Sequence, residues 1–246
     1  MNSDIAQHLA PNGIMRAGVF TGNILLITGT SPTGTPQGVS PDLCQAMADH
    51  LGVKLELIPF KSQDELVESV ANGNCDIGLV GSDPARAKKI TFTPAYVEIE
   101  ATYLVPAGST IETVAQLDQP GMRIAVPSRS AYELWLSRNL KNATLVMAEG
   151  FQATINIFVE QQLDALAGLR VALTDDAKKL PGTRLLKENF TTIQQGVSTR
   201  NANTVGLDFL TTFVEQAKAS GLIASLIAKH RVNGLVVAPA RAITQP

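Results

Sequence analysis

Short apolar segments alternate along the chain with segments whose apolar residues recur every three or four positions. The first pattern is typical of buried strands and the second of amphipathic helices. The first three apolar segments are Ile14–Phe20, Val53–Ile58 and Ile77–Val80. The helical patterns between them run from Ser40 to Leu51 and from Ser62 to Asn72. This β-α-β-α-β order predicts a doubly wound sheet, whose ligands bind at the carboxyl ends of the strands.

Turn and capping residues set the predicted ends of these elements. Ser40 and Ser62 precede helical patterns and are expected to accept hydrogen bonds from the free N–H groups of the first turn. Gly52 and Gly73 are expected to end the two helices, and Pro59 to end the second strand.

A second α/β pattern begins after Pro106. Its predicted strands are Arg123–Val126, Thr144–Ala148 and Ala165–Leu169, and its predicted helices are Val114–Leu117, Ser128–Leu140 and Phe151–Gln161. The chain is predicted to be extended again at 194–199 and to end in two amphipathic helices, Val205–Ser220 and Leu222–His230. Because these last helices have no sheet of their own, the second unit is predicted to be inserted into the first.

The predicted fold is therefore α/β and two-lobed, with a doubly wound sheet in each lobe. Lobe 1 is expected to comprise residues 1–104 and 199–246, and lobe 2 residues 105–198. The chain must then pass between the lobes twice, through Thr102–Val105 and Gln195–Thr199. Two crossings predict a two-strand hinge and a groove that closes on a ligand.

Composition narrows the classes of function. The 246 residues carry a net charge of −2, which gives no general attraction to nucleic acid or to anionic membranes. No apolar run approaches the roughly 20 residues that cross a bilayer. The N-terminus lacks the basic start and apolar stretch of a secretory signal. We expect either a mature or trimmed periplasmic chain or a protein that stays inside the cell.

The residue types of metal and redox sites are sparse. Cys44 and Cys75 are the only cysteines, and buried free thiols are favoured over a pairing that export would permit. His8, His50 and His230 are scattered without a metal-ligand spacing. No Gly-rich phosphate loop or Ser-His-Asp order is present. We expect no metal and no cofactor.

The order of several motifs resembles a known family. The stretch from Asp83 to Tyr96 reads DPARAKKITFTPAY. Further motifs are Pro41-Asp42-Leu43, Asn72-Gly73-Asn74-Cys75-Asp76, Gly121-Met122-Arg123-Ile124-Ala125-Val126 and Leu163-Asp164-Ala165. From about Gly13 to Gly234 the chain resembles the polar amino-acid type of periplasmic solute-binding protein (family 3), the receptors of ABC importers. Ala95 departs from the family pattern by separating Pro94 from Tyr96.

The resemblance implies a monomeric receptor that binds a small molecule between closing lobes and then docks on an ABC permease in the inner membrane. In the family an Arg at the position of Arg86 holds the ligand's carboxylate, which suits a planar guanidinium. The family also uses the helix start that corresponds here to Ser128, Ser130 and Ala131, where free N–H groups attract anions. The alternatives are a surface arginine at Arg86 and ordinary helix capping by the serines.

Further candidate contacts come from the neighbouring loops. Ser82 and Asp83 precede Arg86 in a loop that is slightly shorter than usual in the family, and Asp83 alternatively caps the following turn. Tyr132 follows the helix start in lobe 2. Phe20 ends the first strand and Asn23 follows it, in a loop where relatives carry an aromatic residue that stacks on the ligand. The alternative for Phe20 is packing in the core.

The resemblance also places an acid that pairs with the ammonium of an amino acid. In this sequence that position is Leu169, between Gly168 and Arg170. A buried ammonium without a partner is costly, so a carboxylate that lacks an amine is the favoured ligand. Glu100 is the alternative partner, which would restore an amino-acid ligand.

Two other classes of protein are considered. Some relatives of the fold are dehydratases that act on cyclic carboxylates, and catalysis would need an acid beside the substrate. Glu100, Asp83 and Glu133 are the candidates, and none lies in a recognisable catalytic motif. A free-standing sensor module is the other alternative, because the same lobes regulate enzymes in some systems.

Overall fold

The computed structural model describes residues 2–240. They divide into two compact units. Unit 1 contains the residues up to Glu98 and those from Gln194 onward, and unit 2 is Ile99–Ile193. The predicted boundaries, after residues 104 and 198, lie a few residues beyond these positions.

Among the described residues, the first part of unit 1 holds nine helices and strands before the chain leaves it, in addition to a short 3-10 helix at Arg86–Lys88. They are α1 (Asn2–Leu9), β1 (Ile14–Phe20), β2 (Gly29–Thr30), β3 (Pro36–Gln37), α2 (Val39–Leu51), β4 (Lys54–Phe60), α3 (Gln63–Ala71), β5 (Ile77–Gly81) and β6 (Ile90–Phe92).

The rest of the chain begins with β7 (Val97–Val105), which enters unit 2, and returns through β12 (Thr191–Arg200). Between these strands lie a 3-10 helix at Val114–Leu117, β8 (Arg123–Pro127), α4 (Ala131–Asn139), β9 (Thr144–Ala148), α5 (Phe151–Glu160), β10 (Ala165–Leu169), α6 (Arg170–Lys179) and β11 (Arg184–Leu185). Unit 1 is then completed by α7 (Thr204–Ala219), α8 (Leu222–Lys229) and β13 (Leu235–Val237).

The sheet of unit 1 has the strand order β4-β1-β5-β12. β1 is parallel to both β4 and β5, whereas β12 returns antiparallel to β5. All five residues of β5 are buried, as its apolar sequence predicts. The prediction that Pro59 ends the second strand was wrong, because β4 continues to Phe60 with Pro59 opposite Val19. β4 lies at the end of the strand order, where a missing N–H is tolerated.

The start of α2 also differs from its prediction. Gly38, not Ser40, is the N-cap residue, and no side chain caps this helix. A Cβ atom at Gly38 would lie 2.2 Å from the carbonyl oxygen of Leu26, so only glycine fits. Ser40 is instead buried, and its hydroxyl lies 2.9 Å from that of Tyr96.

Other caps lie where the sequence predicts them. Ser62 accepts a hydrogen bond from the N–H of Glu65 at the start of α3. Gly52 adopts the left-handed conformation that ends α2, with φ of 68°. Gly73, with φ of 76°, follows the end of α3.

The strands of unit 2 follow the order β7-β10-β8-β9. β10, β8 and β9 are parallel, and β7 is antiparallel to β10. Its core includes a cluster of buried apolar side chains from the strands and from α5 and α6: Leu104, Ala125, Phe158, Leu163, Leu166 and Leu173. Parallel strands end at the same edge of a sheet, so the segments that follow β8 and β10 lie at one edge.

The cysteines are two free, buried thiols, as favoured from the sequence. Burial raises the pKa of both thiols, and the Ser69 hydroxyl lies 3.3 Å from the sulfur of Cys75. Over residues 2–240, no helix is both long enough and apolar enough to span a membrane. The same residues contain no group of three or more His, Cys, Asp or Glu side chains that is suited to a metal.

Candidate functional site

The candidate residues of unit 1 follow the carboxyl ends of two neighbouring parallel strands. Phe20 is the last residue of β1 and Asn23 follows it, and Ser82, Asp83 and Arg86 follow β5. We call these five residues the unit 1 half-site. Its two loops lie at the same edge of the sheet, which is where a doubly wound sheet binds its ligands.

Arg86 is the first residue of its 3-10 helix and is 4% exposed. The interpretation of Arg86 as a surface arginine is therefore wrong. Its Nη1 atom donates a hydrogen bond to the carbonyl oxygen of Gly81, 2.7 Å away, at the end of β5. This contact fixes the guanidinium beside the strand end.

Asp83 organises the turn that carries Arg86. Its Oδ1 atom accepts a hydrogen bond from the N–H of Ala85 at 2.7 Å, and its carbonyl oxygen accepts one from Ala87 at 2.9 Å. The N–H of Ser82 donates to the carbonyl oxygen of Gln194 on β12, while Ser82 itself is exposed. Asp83 thus caps the turn, as its alternative interpretation predicted.

Hydrogen bonds within the loop after β1 hold its conformation. Asn23 accepts a hydrogen bond from the N–H of Leu25 through its side chain, at 3.2 Å. The ring of Phe20 is partly buried against an apolar cluster of unit 1. A Cβ atom at Gly22 would lie 2.4 Å from this ring, so the ring packs closely on the backbone of the loop. Ile24 is 65% exposed in the same loop.

The candidate residues of unit 2 also follow neighbouring parallel strands, together with one residue of β7. We call them the unit 2 half-site: Ser128, Ser130, Ala131 and Tyr132 after β8, Gly168 and Arg170 at the end of β10, and Glu100 on β7.

The start of α4 is tightly organised. Ser130 is its N-cap residue and accepts a hydrogen bond from the N–H of Glu133 at 3.1 Å. Glu133 in turn accepts hydrogen bonds from the N–H of Arg129 at 3.0 Å and the hydroxyl of Ser137 at 2.6 Å. Ser128 donates its N–H and its hydroxyl to the carbonyl oxygen of Ala148. The first N–H groups of an α-helix have no intrahelical acceptor, so this helix start favours an anion.

Tyr132 lies in the first turn of α4 and is buried. Burial raises the pKa of its phenol, and an interaction with the side chain of Ser130 opposes this rise. The Tyr132 phenol therefore stays protonated at neutral pH and is able to donate a hydrogen bond.

Gly168 and Arg170 serve the packing of unit 2. A Cβ atom at Gly168 would lie 3.0 Å from the side chain of Leu173, so the start of α6 packs closely on β10. Arg170 donates to the Asn189 side chain and to the carbonyl oxygens of residues 186–188. It also forms a 2.9 Å ion pair with Glu100. Glu100, the alternative partner for an amine on the ligand, is thus already paired with a cation.

Comparison with known proteins identifies the family. The model of the bacterial extracellular solute-binding proteins, family 3, matches residues 27–233. The chain belongs to this family. The L-cystine-binding protein TcyJ of Escherichia coli K12 is 25% identical over 236 residues, which cover 91% of this chain and 88% of that protein.

Two further comparisons concern an enzyme and a fold. The membrane-bound lytic murein transglycosylase F of Alteromonas mediterranea is 36% identical over 98 residues, which cover 39% of this chain. That match spans only 21% of the enzyme's own length. The crystal structure of an ancestral amino acid-binding protein, a precursor of cyclohexadienyl dehydratase, has a TM-score of 0.73 at 22% identity and covers 91% of this chain and 97% of that chain. The two-lobed α/β fold of the family is thus confirmed.

In this family 3 solute-binding protein, the candidate residues of each unit lie at one sheet edge of that unit.

The sequence analysis missed one acidic residue of unit 2. Asp176 on α6 is buried although it stands in the polar run Asp175 to Lys179. The helical spacing from Leu173 to Asp176 was the available signal, because residues three apart share a helix face.

Proposed function

We propose that this protein is the periplasmic receptor of an ABC-type importer. It binds a small carboxylate with residues of both half-sites, docks as a monomer on an inner-membrane permease, and performs no chemistry on its ligand. The observation that carries the proposal is the buried guanidinium of Arg86 beside the carboxyl end of β5.

Arg86 and the start of α4 suit the same ligand chemistry. A guanidinium offers two parallel N–H donors that match the two oxygens of a carboxylate. The start of α4 adds backbone N–H groups and the partial positive charge of the helix dipole. Both features favour an anion, and both follow the carboxyl end of a parallel strand.

Leu169 and Glu100, the two positions considered from the sequence for pairing with an ammonium, favour a ligand without an amine. The position that resembles the family's ammonium partner is Leu169, and Glu100 is paired with Arg170. An ammonium would have to displace that arginine to reach the Glu100 carboxylate. An amino-acid ligand is the alternative, and the relationship to an L-cystine-binding protein favours it.

The contacts of three acids favour binding without catalysis. Glu133 accepts two hydrogen bonds within α4 and its cap, Asp83 caps the Arg86 turn, and Glu100 forms an ion pair. A general acid needs a proton to deliver to substrate, whereas these carboxylates are held by donors of the protein.

A thermal-shift screen tests the proposal. Bound ligand raises the unfolding temperature by mass action, so one protocol detects ligands that differ in affinity. Succinate, L-malate, L-aspartate, L-glutamate and L-cystine are compared with succinamide, which has the skeleton of succinate without its charge. We expect stabilisation by at least one carboxylate and none by succinamide. Equal shifts with succinate and succinamide, or no shift with any carboxylate, would contradict the proposal.

A further inference from the structure

α6 carries a buried carboxyl group that the proposed contacts do not use. Asp176 is 8% exposed. Among residues 2–240, its Oδ2 atom is shielded from solvent and meets no hydrogen-bond donor. Its Oδ1 atom lies 3.8 Å from the Nζ atom of Lys179, whose side chain is 76% exposed. A buried polar atom without a partner is costly, and native proteins retain few of them.

The position of Asp176 relates it to the unit 2 half-site. α6 begins directly after Gly168 and Leu169, so Asp176 belongs to the helix that starts at this half-site. The charge of Asp176 also acts on Tyr132, where it adds to the effect of burial in raising the pKa of the phenol. Tyr132 interacts with the Ser130 side chain at the tip of α4. Asp176 is therefore within electrostatic range of Tyr132, whose side chain interacts with Ser130 at the helix start that favours an anion.

Among the described residues, the cation nearest the buried Asp176 carboxyl group is the largely exposed Lys179, 3.8 Å away. Burial raises its pKa, Lys179 lowers it and Asp175 raises it further, and the pKa remains above its ordinary value. The carboxylate form is therefore destabilised until a hydrogen-bond donor reaches it.

We propose that Asp176 accepts a hydrogen bond from an ammonium or hydroxyl group on the ligand of the unit 2 half-site. This inference rests on the proposed function, because it assumes that the ligand's carboxylate binds at the start of α4. Asp176 then supplies the acid that is absent at Leu169, from a different position on the adjoining helix. The ligand class becomes a small carboxylate with a donor group near its acid.

The test compares three dicarboxylates that differ at one carbon: succinate, L-malate and L-aspartate carry hydrogen, hydroxyl and ammonium there. Their dissociation constants are measured by calorimetry for the wild type, Asp176→Leu, Asp176→Asn and the control Asp175→Asn. Asp175 is exposed and pairs with Lys178, so its variant removes the same charge from the same helix.

We expect the wild type to prefer L-malate or L-aspartate to succinate, and Asp176→Leu to reduce that preference about 10-fold or more, as for a hydrogen bond to a charged group. Asp176→Asn should keep a preference for hydroxyl and lose one for ammonium, because an amide oxygen still accepts but carries no charge. Asp175→Asn should behave as wild type. An unchanged preference in Asp176→Leu would overturn the proposal.

A measurement without ligand separates this inference from the proposed function. If the buried Asp176 carboxylate destabilises the folded protein, Asp176→Leu should have a higher unfolding temperature than the wild type at pH 7. Because the folded pKa of Asp176 is raised, this gain should shrink as the pH falls through that raised pKa and should be absent below the ordinary value of about 3.9. A lower unfolding temperature would show a structural carboxylate and overturn the inference. Wild-type protein that binds none of the three probes would count against the proposed function instead.

Discussion

Charged side chains in this protein differ in how many hydrogen-bond and ionic partners they have. Asp76 accepts both side-chain prongs of Arg16, at 3.0 and 2.7 Å, and also the backbone N–H of Arg16 at 2.9 Å. Lys218 donates to Glu215 and to two backbone carbonyl groups. In the part of the chain that the structure describes, Asp176 has Lys179 at 3.8 Å and an Oδ2 atom without a hydrogen-bond partner. We propose that this contrast separates charges that stabilise the fold from charges that remain for a ligand.

Asp76→Asn should lower the free energy of unfolding by roughly 3 kcal/mol, because it leaves Arg16 without its charged partner in a largely buried pair. Urea denaturation measures the loss. Asp49→Asn is the control, since the Asp49 side chain is exposed and accepts a hydrogen bond from Gln45 on the same helix. Equal stability of the Asp76 variant and the wild type would contradict this assignment.

At the scale of elements, sequence patterns predicted the strands well and the helix starts unevenly. Ser62 and Ser130 were found because a hydroxyl residue stands before an apolar helical pattern. α6 was missed because it begins directly after β10 and its N-cap residue, Leu169, has no capping side chain. The sequence analysis did not predict α1 either. Near the end of this helix, the side chain of Asn203, which is distant in sequence, donates a hydrogen bond to the carbonyl oxygen of His8.

Ser130→Ala should cost about 1 kcal/mol of stability through loss of the N-cap, and should also weaken carboxylate binding at the start of α4. Ser62→Ala is a matched control, because Ser62 caps α3 outside both half-sites. It should lose similar stability and keep the wild-type dissociation constant. Unfolding curves and calorimetry measure the two effects, and equal binding by both variants would count against a ligand contact at Ser130.

The contact between α2 and α8 gives a pH-dependent stability. Burial acts to raise the pKa of Asp42, but hydrogen bonds from Lys229 and His230 hold it below its ordinary value. The stabilisation is therefore complete above the unfolded pKa of about 3.9 and is lost as the pH falls through the folded pKa. Asp42→Asn should unfold at a lower temperature than the wild type at pH 7, with a smaller difference at pH 3. A difference that does not change with pH would contradict this.

For the whole molecule, the alternation of strands and helices was sufficient to predict the two-lobed fold. The insertion followed from the terminal helices, α7 and α8, which have no sheet of their own. The resemblance to the family also pointed to Arg86 and Ser130, and each of them follows the end of a strand, β5 and β8 respectively. It did not reveal which charges are satisfied, because the partners of Arg170 and Asp176 depend on loops and helix faces that are distant in sequence or lack a cap.

The most direct test of carboxylate binding by Arg86 is the dissociation constant of Arg86→Ala for the carboxylate that most stabilises the wild type. It is measured by calorimetry on protein whose circular dichroism shows a native fold. Lys88→Ala is the control, because Lys88 is exposed on the same 3-10 helix. Arg86→Ala should weaken binding by about 1.5–3 kcal/mol, the range for hydrogen bonds to charged groups, and Lys88→Ala should not. An unchanged dissociation constant in folded Arg86→Ala protein would contradict the account.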